Sequence, residues 1–498
     1  MPCIEATKKL SKFFQNLGLD IHKDGISIPG LTLKYLWKTK EKDTEFELFK
    51  GNEELYHKYK DNLVGGPSIV FNHYQEKDIT KIRNGKTCKK ILGFDANALY
   101  LSAIGKNMLT GKHQVIEPYD KLVEDISNGS FFGVVECDIR VPDHLQEYFS
   151  EMCPIFKNID IKYNDTSEET KLQIKPNYKS RKLVGSMFGE KMLFVSDLLR
   201  WYIQKGLIIS NISYVVRYAK QAPFKTFVDE VSNSRRAGDI SPEHSLRGEM
   251  MKLMGNSSYG KCITNFLKHE NVKIVPESKY SKNIIKNTYK SHSDLIDGYE
   301  FCFKKTSFKQ CLPIQIGFAV YQLAKLRMLE FYYDFIDYYI DRADFEYCEM
   351  DTDSAYIAFS GEFDNLIKPE LLQHYIQHKA EWLGRSDTDA NRLYDKRTPG
   401  LFKLEYSGDG IIALASKMYY CFGEKDKCSS KGLNQRQNDI TKERYFSALN
   451  GNSTQEFTNR GFRVKSNKMT TYTLNKTGKK LFNDKRLRTG YSTTYSEI

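Results

Sequence analysis

Two aspartates separated by one threonine, Asp351-Thr352-Asp353, are the first residues here whose type and spacing point to chemistry. They sit at a tight turn between two apolar runs, 345–350 and 354–359, which read as strands. Carboxylates placed this way are costly to bury unless a cation neutralises them. Mg2+ suits such a turn, because it takes a few carboxylates together with phosphate oxygens. Alone, the motif also fits a solvated Asp-rich turn or a nucleotide-sugar transferase. Asp95 narrows the choice. It ends another apolar run, Ile91-Leu-Gly-Phe94, so one sheet would set it beside the turn. Two divalent ions about 3.5–4 Å apart, bridged by Asp95 and Asp353, would activate a hydroxyl nucleophile and stabilise a leaving pyrophosphate.

A triphosphate needs a second set of groups, and a helical pair offers them. Lys252, Asn256 and Tyr259 recur at i, i+4 and i+7, which puts them on one helix face. Arg235 and Arg236 stand on the helix before it. The first helix is expected over 224–237, with Gly238 as its stop. Ser241 then caps a second helix with Pro242 at its first position, and the short joint makes an antiparallel hairpin. Its cations would grip β- and γ-phosphates. Tyr259 would offer its ring to a base pair, and Gly260 would let that pair approach the backbone. A solvated basic helix with one packed tyrosine is the plainer alternative. The full string Lys252-Leu-Met-Gly-Asn-Ser257-Ser-Tyr-Gly260-Lys261 is more specific than any of its parts.

The rest of the chain must position these groups. Its 498 residues imply two to four lobes, and its net charge of +12, from 75 basic and 63 acidic residues, suits a polyanionic partner. Ten scattered cysteines without a Cys-x-x-Cys pair read as free thiols of an intracellular protein. His374 and His378 read as a solvated helix face and not as a zinc site. The first residues lack the apolar core of a signal peptide. The apolar stretch 312–340 carries Lys325, Arg327, Glu330, Asp334 and Asp337, so it reads as a buried helix and not a membrane span. Gly65-Gly66-Pro67 marks a loop before the Asp95 strand. Residues 107–220 read as an insertion with its own small fold, 263–312 as polar and irregular, and 476–488 as a basic run.

These motifs carry a family resemblance. Asp95-Ala-Asn-Ala-Leu-Tyr100-Leu-Ser102 resembles motif A of family B DNA polymerases, Asp-x-x-Ser-Leu-Tyr-Pro-Ser. Lys252 to Gly260 resembles motif B, Lys-x-x-x-Asn-Ser-x-Tyr-Gly, and Met350-Asp-Thr-Asp353-Ser354 resembles motif C, Tyr-x-Asp-Thr-Asp-Ser. Their order is the family's. Leu63-Val-Gly65-Gly66 is similar to the Tyr-x-Gly-Gly element of the protein-primed members, and Lys417-Met418-Tyr419 to their Lys-x-Tyr element. Gly-Gly-Pro-Ser-Ile69 and the motif A wording resemble Maverick/Polinton-type and adintovirus-like polymerases.

The resemblance implies an α+β right-hand polymerase with an antiparallel-sheet palm, helical-hairpin fingers, a small thumb and two palm insertions. Its boundaries would be a connecting segment with the Gly-Gly loop (1–85), palm (86–106), a terminal-protein-region-like insertion (107–222), fingers (223–262), a second insertion (263–312), palm (313–425) and thumb (426–498). Asp95 and Asp353 would ligate two Mg2+, with Mn2+ able to substitute; the Ala96 backbone would complete the coordination, and Asp351 would support it. Ala98 and Leu99 amides, Arg235, Arg236 and Lys252 would bind a deoxynucleoside triphosphate. Tyr100 would exclude a 2′-hydroxyl, and Asn256 and Tyr259 would line the pocket. Gly65, Gly66, Ser257, Gly260, Thr352, Lys417 and Tyr419 would contact template-primer DNA. A terminal priming protein is the further partner implied.

Three departures stand out. Glu349 replaces the motif C tyrosine, which bears on the primer end. Ala98 and Leu101 replace serine and proline in motif A. Nothing before Gly65 matches the family's 3′–5′ exonuclease motifs, so no proofreading is expected from this chain. The alternatives are a catalytically inactive DNA-binding relic and, less in keeping with the Lys252 helix, a nucleotide-sugar transferase. A reverse transcriptase would show adjacent aspartates.

Overall fold

The computed structural model describes residues 2–25, 27–165, 171, 174–451, 455–465, 468–478 and 486–487. Its centre is a five-stranded antiparallel sheet in the order Ser68–Val70, Phe345–Asp351, Ser354–Phe359, Lys90–Ala96, Phe402–Gly408. Ile91, Leu92, Phe94, Ala355, Ile357, Ala358 and Phe359 are all buried. Adjacent residues on a strand face opposite sides, so both faces of the sheet are covered. That double burial explains why the strands read as continuous apolar runs and not as alternating ones.

One face is covered by the helix Ile314–Glu330 and its continuation Phe331–Ile336, which winds as a π-helix. Fourteen residues of Ile314–Glu330 are buried, on every side of the helix, as expected of a core helix. Phe331 stacks on Phe402 at 3.7 Å and lies 5.6 Å from Phe94. No helix among the described residues is long and apolar enough to cross a membrane. On the other face, a four-stranded sheet (Lys427–Ser430, Met418–Phe422, Gly410–Ala415, Tyr74–Glu76) packs through Tyr356, Tyr406, Ile411 and Tyr419.

The 107–222 segment forms a four-stranded sheet: Met108–Ile116, Ile208–Gln221, Gly133–Arg140 and Phe188–Val195. Its apolar residues share one cluster with the central helix. Buried Gln322 fastens the two together. It accepts from Val195 N at 2.7 Å and donates to Leu193 O at 2.8 Å.

The structure corrects two local expectations. Residues 263–312 are not irregular. They hold a three-stranded sheet, Glu270–Val275, Gly298–Lys304 and Tyr289–Leu295. Tyr299, Phe301 and Phe303 alternate along its middle strand, and Tyr280, Tyr289 and His292 pack against Phe301. This period-two signal was masked by the lysines around it. Nor is Gly238 a helix stop. The first hairpin helix runs Lys225–Ile240, straight through it, and Ser241 alone joins it to Pro242–Ser257. Gly238 serves close packing instead, since a Cβ there would lie 3.2 Å from His244 O and 3.3 Å from Gly248 Cα. Of the basic run 476–488, only the backbone of 476–478 and 486–487 is described, so its side chains lie outside the described residues.

Candidate active site

Strand register brings the aspartates together. Ser354 pairs with Asp95 across the sheet, and Ala96 N donates to Asp353 O at 2.7 Å. The turn closes through Asp353 N to Asp351 O at 2.7 Å, with Thr352 in the left-handed region at φ 62°. Ala98 (φ 43°) and Lys417 (φ 61°) share that backbone conformation. It is costly for residues other than glycine, and it clusters where the surroundings over-determine the chain.

Each aspartate has its own electrostatic setting. Asp351 Oδ1 lies 3.1 Å from Lys417 Nζ, and Asp95 Oδ1 lies 3.1 Å from Lys403 Nζ. Burial raises the Asp95 pKa, and Lys403 opposes that shift. Asp353 has no lysine within ion-pair distance among the described residues. Burial first, then the charges of Asp95 and Asp351, push its pKa up to about 7. Such a pair of half-buried carboxylates is what a hard divalent cation relieves. No three His, Cys, Asp or Glu side chains among the described residues converge as a ready cage. A divalent cation would draw on Asp95 and Asp353 with backbone oxygens, while Asp95 and Asp351 are each ion-paired to a lysine as the chain stands.

The Gly-Gly loop lies over this turn. Thr352 N donates to Pro67 O at 2.8 Å. A Cβ on Gly66 would fall 2.4 Å from Thr352 Cγ2 and 2.9 Å from the Tyr100 hydroxyl, so only glycine fits. A Cβ on Gly65 would meet nothing within 4 Å. Buried Lys325 of the central helix anchors the loop by donating to Val64 O at 2.9 Å.

Tyr100 leads into the hairpin. Its ring lies 4.8 Å from Tyr259 and 5.9 Å from Tyr321, and those two lie 5.5 Å apart. Ala98 caps the short helix Leu99–Ile104, whose first turn closes through Ser102 N to Ala98 O at 2.9 Å. Ala98 and Leu99 thus stand at a helix N-terminus one strand-end beyond Asp95.

Lys252 and Asn256 share an exposed face, and Tyr259 is buried. The helix ends at Ser257, but Ser258 and Tyr259 keep helical backbone angles, and the Tyr259 ring packs against Tyr100 and Tyr321. Burial and the charge of Arg397 lower the Arg235 pKa, and Asp239, Glu249 and, least of the three, Asp95 oppose that shift. The Arg236 guanidinium stacks 3.7 Å over the Tyr394 ring and donates to Tyr394 O and Thr398 Oγ1. Successive helix positions diverge by about 100°, so adjacent arginines serve different surfaces. Ser257 Oγ is tied to Leu253 O at 2.8 Å, and Gly260 has open space where its Cβ would be.

Tyr419 is buried, with its hydroxyl 3.0 Å from that of Tyr356. Glu349 is buried opposite Tyr356 on the neighbouring strand. Sequence spacing gave no notice of Lys403, Glu405, Tyr321 or Lys325. The alternation Phe402-Lys403-Leu404-Glu405-Tyr406 marks a strand, but nothing local names its partner.

No protein-family model matches this sequence, and comparison with curated proteins gives no match. Solved structures do match. Phi29 DNA polymerase complexed with primer-template DNA, in a post-translocation binary complex, aligns with a TM-score of 0.52 at 14% identity. The alignment covers 94% of this chain and 69% of that one. The ternary complex with primer-template DNA and incoming nucleotide substrates gives 0.51 at 14% identity, over 92% and 68%. Against the orthorhombic crystal form of that polymerase, this chain spans 63% of the other's length. The chain therefore has the mixed helical and antiparallel-sheet fold of a DNA polymerase structure.

Proposed function

We propose that the protein is a DNA-directed DNA polymerase of the protein-primed family B type. It would add deoxynucleoside monophosphates to a primer 3′-hydroxyl and serve a Maverick/Polinton-like viral or mobile element. The observation that carries this is the convergence of Asp95, Asp353, Gly66 and Tyr100, drawn from three separated segments, on one place in a polymerase-like fold. On this reading the five-stranded sheet is the palm, the 225–257 hairpin the fingers, 107–222 and 263–312 the two insertions, and 426–498 the thumb.

Asp95, Asp353 and the Ala96 backbone would hold Mg2+, or Mn2+ in its place. When bound, the metal ions would make the primer hydroxyl nucleophilic and neutralise charge on the triphosphate and leaving pyrophosphate. The chain's own residues do the rest. Arg235 and Lys252 draw the triphosphate in, and the Ala98 and Leu99 amides at a helix N-terminus receive its oxygens. Tyr100 is braced by Tyr259 and Tyr321, so its ring cannot swing aside for a 2′-hydroxyl. Asn256 lines the nucleotide pocket. Gly65, Gly66 and Thr352 form a narrow ledge for the template-primer, and Lys417 and Tyr419 approach the primer end from the second sheet. Arg236 braces the hairpin against Tyr394. A terminal protein would supply the priming hydroxyl.

Primer extension with Mg2+ and the four deoxynucleotides tests the reading. Wild type should extend, and Asp353→Asn should lose about a thousandfold or more, since metal-borne charge stabilisation is worth several kcal/mol. Equal extension by both proteins would sink it.

A further inference from the structure

Lys403 has no part in the roles above, yet it holds Asp95. Its Nζ lies 3.1 Å from Asp95 Oδ1 and 2.5 Å from Glu405 Oε1. The second oxygen of Glu405 lies 3.2 Å from Lys427 Nζ. Lys403 and Asp95 are cross-strand partners, so their contact is set by register. The ladder then slips between Leu404 and Tyr406, which leaves Glu405 as the bulged residue of the sheet's edge strand. Bulges beside active sites re-aim side chains. This one sets a second carboxylate within reach of the ammonium that holds Asp95.

Charge balance makes that arrangement consequential. Asp95, Asp351, Asp353 and Glu405 face Lys403, Lys417 and Lys427, so the cluster is close to neutral as it stands. A divalent ion on Asp95 would compete for a carboxylate whose Oδ1 has an ammonium 3.1 Å away, and the two cations would repel. Of the two lysines on the aspartates, only Lys403 already touches another carboxylate among the described residues. Its side chain is 34% exposed and that of Glu405 33%, which leaves room for a small displacement.

We infer that Lys403 is an internal counter-cation: it holds Asp95 while no divalent ion is bound and withdraws onto Glu405 when one arrives. Lys403 is thus a positioning residue, and Glu405 tunes metal affinity through it. This rests on the two-metal reading of the site. The hand-over keeps the carboxylates from repelling one another before metal binds, at the expense of some metal affinity.

The test is direct Mn2+ binding to the full metal-free chain, without DNA or nucleotide, following free Mn2+ by electron paramagnetic resonance. Lys403→Met should bind Mn2+ about threefold or more tightly, in line with a partly exposed ion pair. Its metal-free form should also melt lower than wild type. Glu405→Gln leaves Lys403 nowhere to go and should weaken binding; it tests the same hand-over should Lys403→Met fold poorly. In the double variant, Glu405→Gln should add nothing to Lys403→Met, because its effect runs through Lys403. Unchanged or weaker binding by Lys403→Met, or simple additivity in the double variant, overturns the inference. If wild type itself binds no Mn2+, the two-metal reading falls with it, whereas normal wild-type binding with an unaltered Lys403→Met removes the inference alone.

Discussion

The aspartate sheet and the helical hairpin hold their candidate functional groups in opposite ways. In the sheet, each aspartate is fixed by backbone pairing: Asp95 by register with Ser354 and Lys403, Asp353 through the Ala96 amide, and the turn through Pro67 O. In the hairpin, Lys252 and Asn256 are exposed on a helix whose joint to its partner is the single residue Ser241. Register leaves a carboxylate little freedom, whereas a long lysine on a helix face can follow its ligand. On the proposed reading, the reacting centre would be built into the rigid element and the grip on substrate into the adjustable one.

Four substitutions break or sharpen this contrast. The largest effect is expected from Gly66→Ala. The new Cβ would meet Thr352 Cγ2 at 2.4 Å and Thr352 Cβ at 3.0 Å, so the loop must lift off the aspartate turn. Overpacking of this kind costs about 1–3 kcal/mol. Primer extension should fall at least tenfold in kcat, and an unaltered kcat would mean that the turn is not held rigidly by the loop. Lys252→Ala comes next. One charge-assisted contact to phosphate is worth about 1.5–3 kcal/mol, so kcat/KM for nucleotide should drop roughly 10–100-fold with little change in melting temperature.

A pH-dependent effect is expected at Lys325, which anchors the Gly-Gly loop. Burial pushes its pKa down from the ordinary lysine value of 10.5 to about 7. Between those two pH values the unfolded chain binds the extra proton and the folded chain does not, so stability rises with pH through that window. Below it, both states are protonated and the burial cost is constant. Melting curves of wild type and Lys325→Met should therefore run parallel below about pH 7 and diverge above it, with wild type gaining. A constant difference from pH 6 to 10 would show that Lys325 does not titrate in this range. The smallest effect belongs to Gly238→Ala. Helix propensity favours the change by about 0.5–1 kcal/mol. Its Cβ would, however, press on His244 O and Gly248 Cα, backbone atoms that no rotamer change can move aside. A net loss of about 1 kcal/mol is expected, and a gain in melting temperature would show that the hairpin is looser than its packing suggests.

Much of this was legible in the residues. The apolar runs around Asp95 and the 351–353 turn are local signals, and each became the strand it promised. The Ser241-Pro242 start of the second hairpin helix was equally plain, since Ser241 Oγ accepts from Glu243 N at 3.3 Å. Failures came where a glycine was read as a helix stop or where polarity hid an alternation. Gly238 lies inside its helix, and Tyr299-Glu-Phe301-Cys-Phe303 is a strand among lysines.

Residue types and short spacings pointed to Asp95, Asp351 and Asp353 as candidate cation ligands and to Gly66 as a place of close approach, because type and spacing constrain chemistry directly. Their neighbours came from long-range packing. Lys403 meets Asp95 across more than three hundred residues of chain, Arg236 turns to Tyr394, and Tyr321 braces Tyr100 from the central helix. Those pairings depend on strand register, a slip of one residue at Glu405 and the angle between successive helix positions. None of these is written in any local pattern, because cross-strand partners are chosen by the packing of the whole core.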